Sequence, residues 1–188
     1  MADESNDRRV MIAILLTSTL LTMLGIGGIF MGGYGLRTGP LPEDLRELFP
    51  GEQDPDDDDL MRQVQLFEAE LSNPYRRPMA AANVVVSSLV LVGSFMLTWR
   101  RKLSQWWIRQ AVVAKLIWIV GYTATLVYHL KLVFPNLLAP KDEGITLVEL
   151  ISSVVLMSVT SATLHLLAAW RVSRPDIGDF LESSRKAS

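Results

Sequence analysis

Four long apolar runs, nearly free of charge, constrain this chain more than any other feature of it. They cover residues 10–31, 79–99, 111–133 and 145–170. A hydrocarbon core about 30 Å thick is crossed by roughly 20 residues of helix rising 1.5 Å each. Each run is long enough. The first two carry no charge at all. The third carries Lys115, His129 and Lys131, and its lysines lie near the ends, where their stems can snorkel toward the headgroups. The fourth carries Glu149 and His165. The composition agrees with burial in lipid, since 49% of the 188 residues are hydrophobic and the mean hydropathy is +0.27.

The expected fold is therefore an all-α integral membrane protein with four transmembrane helices in an up-down bundle. Short extramembrane helices are expected in the first outer loop. The chain divides into an N-terminal tail (1–9), a first span (10–34), an acidic outer segment (35–78) and a second span (79–99). A basic turn (100–110), a third span (111–133), an outer turn (134–144), a fourth span (145–170) and a C-terminal tail (171–188) follow. Arg8 and Arg9 precede the first run as in a signal peptide. The run is longer than a usual signal core, however, and no Ala-x-Ala site follows, so it reads as an uncleaved anchor.

Basic residues near the span ends set orientation. Arg8 and Arg9, then Arg100, Arg101, Lys102 and Arg109, then Arg171, Arg174, Arg185 and Lys186 all fall on one side if the spans alternate. Both termini are thus expected in the cytoplasm, and the setting expected is a bacterial inner (plasma) membrane. Trp99, Trp106, Trp107 and Trp170 flank the basic clusters, at the interfacial depth amphipathic rings prefer.

The outer segment holds five arginines against eleven acids, a net of −6. The acidic run at residues 56–59 suits a helix N-terminus. Leu60, Val64, Phe67 and Leu71 then share one helical face, an expected interaction surface for the membrane or a partner. The negative charge favours a basic partner over anionic lipid. Asp54, Asp56 and Asp58 do not make an EF-hand, because the positions for its glycine and its bidentate glutamate hold Asp59 and Gln65.

Polar residues inside the membrane usually face protein or a cavity. In span three Lys115, Trp118, Tyr122, Thr125 and His129 form one helical stripe. In span four Thr146, Glu149, Ser153, Thr160 and Thr163 form another, with Leu156 in its gap. A hairpin centred near Ala139 would set His129 against Glu149, Thr125 against Ser153, Tyr122 against Leu156, Trp118 against Thr160 and Lys115 against Thr163. Gly28 and Gly32 make a G-x-x-x-G step that permits close helix packing. Ala80, Asn83, Ser87 and Ser94 give span two a small-residue face.

Catalytic residues are not expected. The chain has no cysteine, which excludes disulfides, thiolate metal sites and cysteine nucleophiles. His129 and His165 differ in depth by about 20 Å along their helices and cannot share one metal or one haem in a monomer. His165 lies off the fourth span's polar stripe, and no nucleophile elbow, phosphate loop or zinc-protease motif occurs. No cofactor, metal or nucleic acid is expected, the net charge being only −2. Two functions remain. One is a non-catalytic membrane scaffold, accessory subunit or assembly factor with a membrane-protein partner or a homo-oligomer. The other is a proton or ion pathway along Lys115, Tyr122, His129 and Glu149. The C-terminal tail is expected to form a short helix at residues 177–181 that frays.

Overall fold

In a computed structural model, residues 2–37, 71, 73–101, 103–133 and 147–186 are described, with side chains for 7–37, 71, 73–101, 103–132 and 151–183. They form five helices: α1 (Ala2–Arg37), α2 (Arg76–Thr98), α3 (Ser104–Val133), α4 (Leu147–Val172) and α5 (Pro175–Lys186). Four stretches of these are long and apolar enough to cross a membrane: Asp7–Arg37, Arg76–Thr98, Ser104–Leu132 and Ile151–Val172. Large apolar side chains such as Leu16, Phe30, Ile117, Val120 and Met157 point outward. A surface this apolar belongs against acyl chains rather than water. The outer-segment residues Leu60, Val64 and Phe67, the Glu149 side chain and the turn at 134–144 lie outside the described residues.

α1 and α2 approach closely, and glycines explain it. Gly25, Gly28, Gly32 and Gly35 recur at steps of three and four and so line one face of α1. A Cβ at Gly32 would come within 2.8 Å of the Ala80 carbonyl oxygen and 2.7 Å of Val84 Cγ2. One at Gly28 would overlap Ser87 Oγ, while Gly27 and Gly33, off this face, meet open space. In lipid, helices gain little from hydrophobic burial, so close backbone approach and hydrogen bonds do the joining. The bonds are present. Ser94 Oγ, buried, donates to the Ser18 carbonyl (2.7 Å) and lies 2.6 Å from Thr22 Oγ1. The small-residue face of α2, with Ala80, Asn83, Ser87, Gly93 and Ser94 all buried, lies between α1 on one side and α3 on the other.

α2 ends in a tight turn. Arg101 N–H donates to the Met96 carbonyl (2.9 Å) and Arg100 N–H to that of Leu97 (3.0 Å), with Arg100 at φ 54°. These six-to-one and five-to-two bonds form a Schellman cap, in which a left-handed residue closes the helix. α3 then returns at once. Trp107 Nε1 donates to the Leu89 carbonyl (3.0 Å), and Ile108 fills the gap over Gly93. Along the α3–α4 seam Thr123 Oγ1 and Ser158 Oγ lie 2.7 Å apart, and Leu126 and Leu130 pack with Ile151 and Val154.

The C-terminal helix differs from the short, fraying turn the sequence predicts. α5 runs from Pro175, placed where the missing N–H costs nothing, and it is anchored rather than free. Ile177 and Leu181, one turn apart, are buried with Val10, Ile14, Leu97 and Val172 in one apolar cluster. Polar contacts surround that cluster. Arg171 pairs with Asp176 (3.0 Å), Arg109 Nε donates to Ser173 Oγ (2.9 Å), and the Arg100 guanidinium sits 5.2 Å from the Phe180 ring centroid. Isolated apolar residues in a polar tail give no clue to such a neighbour, because the burying surface comes from helices far away in sequence.

The α1–α2 contact predicts a contrast between adjacent glycines. Alanine favours helix equally at both sites. Even so, Gly32→Ala should lose about 1–3 kcal/mol through overpacking while Gly33→Ala stays within about 0.5 kcal/mol of the parent. Unfolding in mixed micelles measures both; equal stabilities would contradict the packing.

Candidate functional site

Lys115 lies on the face of α3 that meets α2, and only 4% of its surface is exposed. Asn83 and Ser87 are one turn apart on α2 and therefore present their side chains together. The Lys115 ammonium donates to Asn83 Oδ1 and to Ser87 Oγ, the latter at 2.9 Å. Ser87 Oγ donates in turn to Asn83 Oδ1 (3.2 Å), and Asn83 Nδ2 donates to the Gly28 carbonyl of α1 (3.0 Å). Lys115 Nζ also lies 3.1 Å from where a Cβ on Gly28 would stand. One buried cation thus ties three helices together. No carboxylate is supplied by the spans around it, since residues 10–37, 76–98, 104–132 and 151–172 contain no aspartate or glutamate.

Trp118 continues this α3 stripe against α2, while Tyr122 packs on the Leu126–Leu130 patch that meets Ile151 and Val154 of α4. The ammonium sits 4.4 Å from the Trp118 ring centroid, a cation–π contact that partly replaces lost hydration. Trp118 Nε1 donates to the Met79 carbonyl (2.9 Å), and the Trp118 and Tyr122 rings stack at 5.1 Å with 14° between planes. The hairpin register read from the sequence set these residues against α4. In the structure the α4 stripe turns elsewhere. Leu156, Thr160 and Thr163 are exposed, and the two threonines donate to carbonyls of their own helix, Leu156 (2.9 Å) and Val159 (2.8 Å). Thr125 likewise bonds within α3, to the Gly121 and Tyr122 carbonyls. His129 is half-buried and Ser153 is exposed. Lys115, Trp118 and Tyr122 are brought together; Thr160 and Thr163 are not brought to them. A hydroxyl that can satisfy itself on its own helix gives no sign of which neighbour it faces.

Beside Lys115 lies a cavity of about 600 Å³ lined by α1, α2, α3 and α4. Its walls are mostly apolar, from residues such as Met31, Ile119, Leu126, Val154 and Met157, and Leu71 of the outer segment also lines it. Its polar lining includes Lys115, Asn83, Ser161 and His165. His165 is 1% exposed. Its Nδ1 is 2.7 Å from the Ser161 carbonyl. A carbonyl only accepts, so Nδ1 carries the hydrogen and neutral His165 keeps a lone pair on Nε2. That Nε2 is buried and has no hydrogen-bond partner among the described residues. Stripe membership alone passes His165 over. Depth finds it, because in the hairpin centred near Ala139 it lies within two residues of the level of Lys115.

Among the described residues no three histidine or carboxylate side chains come together to hold a metal ion. The chemistry the cavity offers is two cationic side chains, Lys115 and Arg76, an imidazole and a largely apolar wall, which suits holding an amphiphile. Comparison with known proteins adds no assignment: no family model, no curated protein and no solved structure matches the chain.

The hub predicts energetic coupling across helices. Asn83→Ala and Lys115→Met should each destabilise the fold. Combined, they should cost less than their sum by on the order of 1 kcal/mol, the scale of hydrogen bonds between helices in membranes. A double-mutant cycle in micelles measures this, and strict additivity would contradict the contact.

Proposed function

We propose that the protein is a non-catalytic integral membrane scaffold, accessory subunit or assembly factor. It acts as an up-down four-helix bundle in a bacterial inner membrane, both termini in the cytoplasm, and it holds a membrane-protein partner or a second copy against α4. The observation that carries this reading is the unequal packing of the spans. Only 11% of the most apolar window of α4 is buried, against 33%, 39% and 28% for α1, α2 and α3. The exposed side of α4 carries Thr160 and Thr163 beside Leu156 and Leu167. Short hydroxyl side chains let another helix approach closely, which is how spans associate in lipid.

The basic residues support the orientation. Arg100, Arg109, Arg171 and Arg174 gather around α5, at the end of the bundle that the positive-inside rule assigns to the cytoplasm. The acidic segment before α2 then lies outside, available to a basic partner. The rival reading, ion or proton movement along Lys115, Tyr122, His129 and Glu149, draws less support. The Lys115 ammonium is held by α2, and the stacked Trp118 and Tyr122 rings occupy the next two turns of the stripe.

A photo-reactive residue at Thr160 or Thr163, activated in native membranes, should join the chain to one discrete polypeptide that also co-purifies in mild detergent. The same residue at Ile117 or Val120, on the exposed side of α3, should label lipid only. A chain that purifies as a solitary monomer, with no adduct from either threonine site, would overturn the proposal. Vesicle flux lowered by Glu149→Gln or His129→Ala would favour the pathway instead.

A further inference from the structure

The cavity beside the hub has features that structural packing leaves unexplained. Lys115 is a cation inside the membrane whose two oxygen partners among the described residues are both neutral, its other contact being the Trp118 ring. A buried charge of this kind costs about 2.5–3.5 kcal/mol on insertion scales and is retained where it does something. His165 lines the same cavity and is almost wholly buried, and its Nε2 has no hydrogen-bond partner among the described residues. Both groups belong to a space whose other walls are largely apolar, with Arg76, Asn83, Ser158 and Ser161 as further polar lining, and whose volume of about 600 Å³ falls within the usual range for ligand pockets.

We propose that this cavity is a binding site for a long-chain fatty acid, with the carboxyl group between Lys115 and His165 and the acyl chain along α1 and α4. The ligand's chemistry follows from the two side chains. An ammonium with no carboxylate beside it among the described residues selects an anion over a neutral headgroup. An imidazole whose Nδ1 hydrogen is committed to the Ser161 carbonyl can meet a carboxyl group in two ways. Neutral, it accepts the acid's proton at Nε2; protonated, it donates from Nε2 to the carboxylate. One carboxyl group thus satisfies both residues, whichever of the two holds the proton. Met23, Met31 and Met157 along the wall supply flexible, polarizable contacts suited to an acyl chain. This site is separate from the exposed face of α4 assigned to a protein partner.

Gly27 allows the space to be tested without disturbing the bundle, since it lines the cavity and a Cβ there meets nothing within 4 Å. The delipidated protein in micelles should bind radiolabelled palmitate saturably, at one molecule per chain. Lys115→Met should weaken binding about tenfold or more, as loss of a charged hydrogen bond does. Gly27→Leu should weaken it comparably while leaving the unfolding midpoint unchanged, which keeps the test decisive if the Lys115 variant does not fold. Methyl palmitate, with the same chain and no ionisable group, should fail to compete. Absence of saturable binding, equal competition by the methyl ester, full binding by Gly27→Leu, or displacement by a quinone analogue in preference to palmitate would each overturn the proposal.

Discussion

The close approach of α1 and α2 sets the terms for the rest of the molecule. Apolar side chains gain almost nothing by leaving lipid for protein, so spans are held by van der Waals contact at short range and by hydrogen bonds. Glycines at positions 25, 28, 32 and 35 remove the side chains that would keep the backbones apart. That proximity lets Asn83 reach the Gly28 carbonyl and Ser94 reach the Ser18 carbonyl. With Asn83 bonded to α1 and Ser87 to Asn83, their oxygens are in place for Lys115, and α3 is drawn in by its charge. The order of dependence runs from small residues, to backbone distance, to polar contacts, to the third helix.

α4 stands apart in this scheme. It meets α3 through Thr123 and Ser158 and through the Leu126–Leu130 patch, and it meets the arginine-rich end through the Gln105 bond to the Val172 carbonyl (2.8 Å). Between these contacts it leaves the cavity open against α1. A helix with one side loosely packed and a buried histidine at the cavity wall is better suited to meeting other molecules than to filling a core. The same looseness underlies both the partner reading and the fatty-acid site.

Much of the architecture was legible in the sequence. Apolar runs of span length with little charge have few alternatives, and four helices among the described residues are long and apolar enough to cross a membrane. The glycine step and the small face of α2 were visible as patterns, though not what they would face. The direction of the Lys115 stripe was not legible. A helical stripe states which residues share a side but not which neighbour lies there, and Thr160 and Thr163 bond their own helix equally well in any orientation. His165 was passed over because its depth was compared with that of His129 and not with that of Lys115. The length of α5 was hidden for another reason: the surface that buries Ile177 and Leu181 includes Val10 and Leu97, which are distant in sequence.

The chain contains no cysteine, so any engineered pair reports without background. The direct test of the α1–α2 arrangement is oxidative cross-linking of Thr22→Cys with Ser94→Cys in native membranes. The parent hydroxyls are 2.6 Å apart, within a disulfide's reach once each side chain carries sulfur. Rapid, nearly complete intramolecular disulfide formation is the result expected. Thiols that stay reduced, or that join only between separate chains, would contradict it.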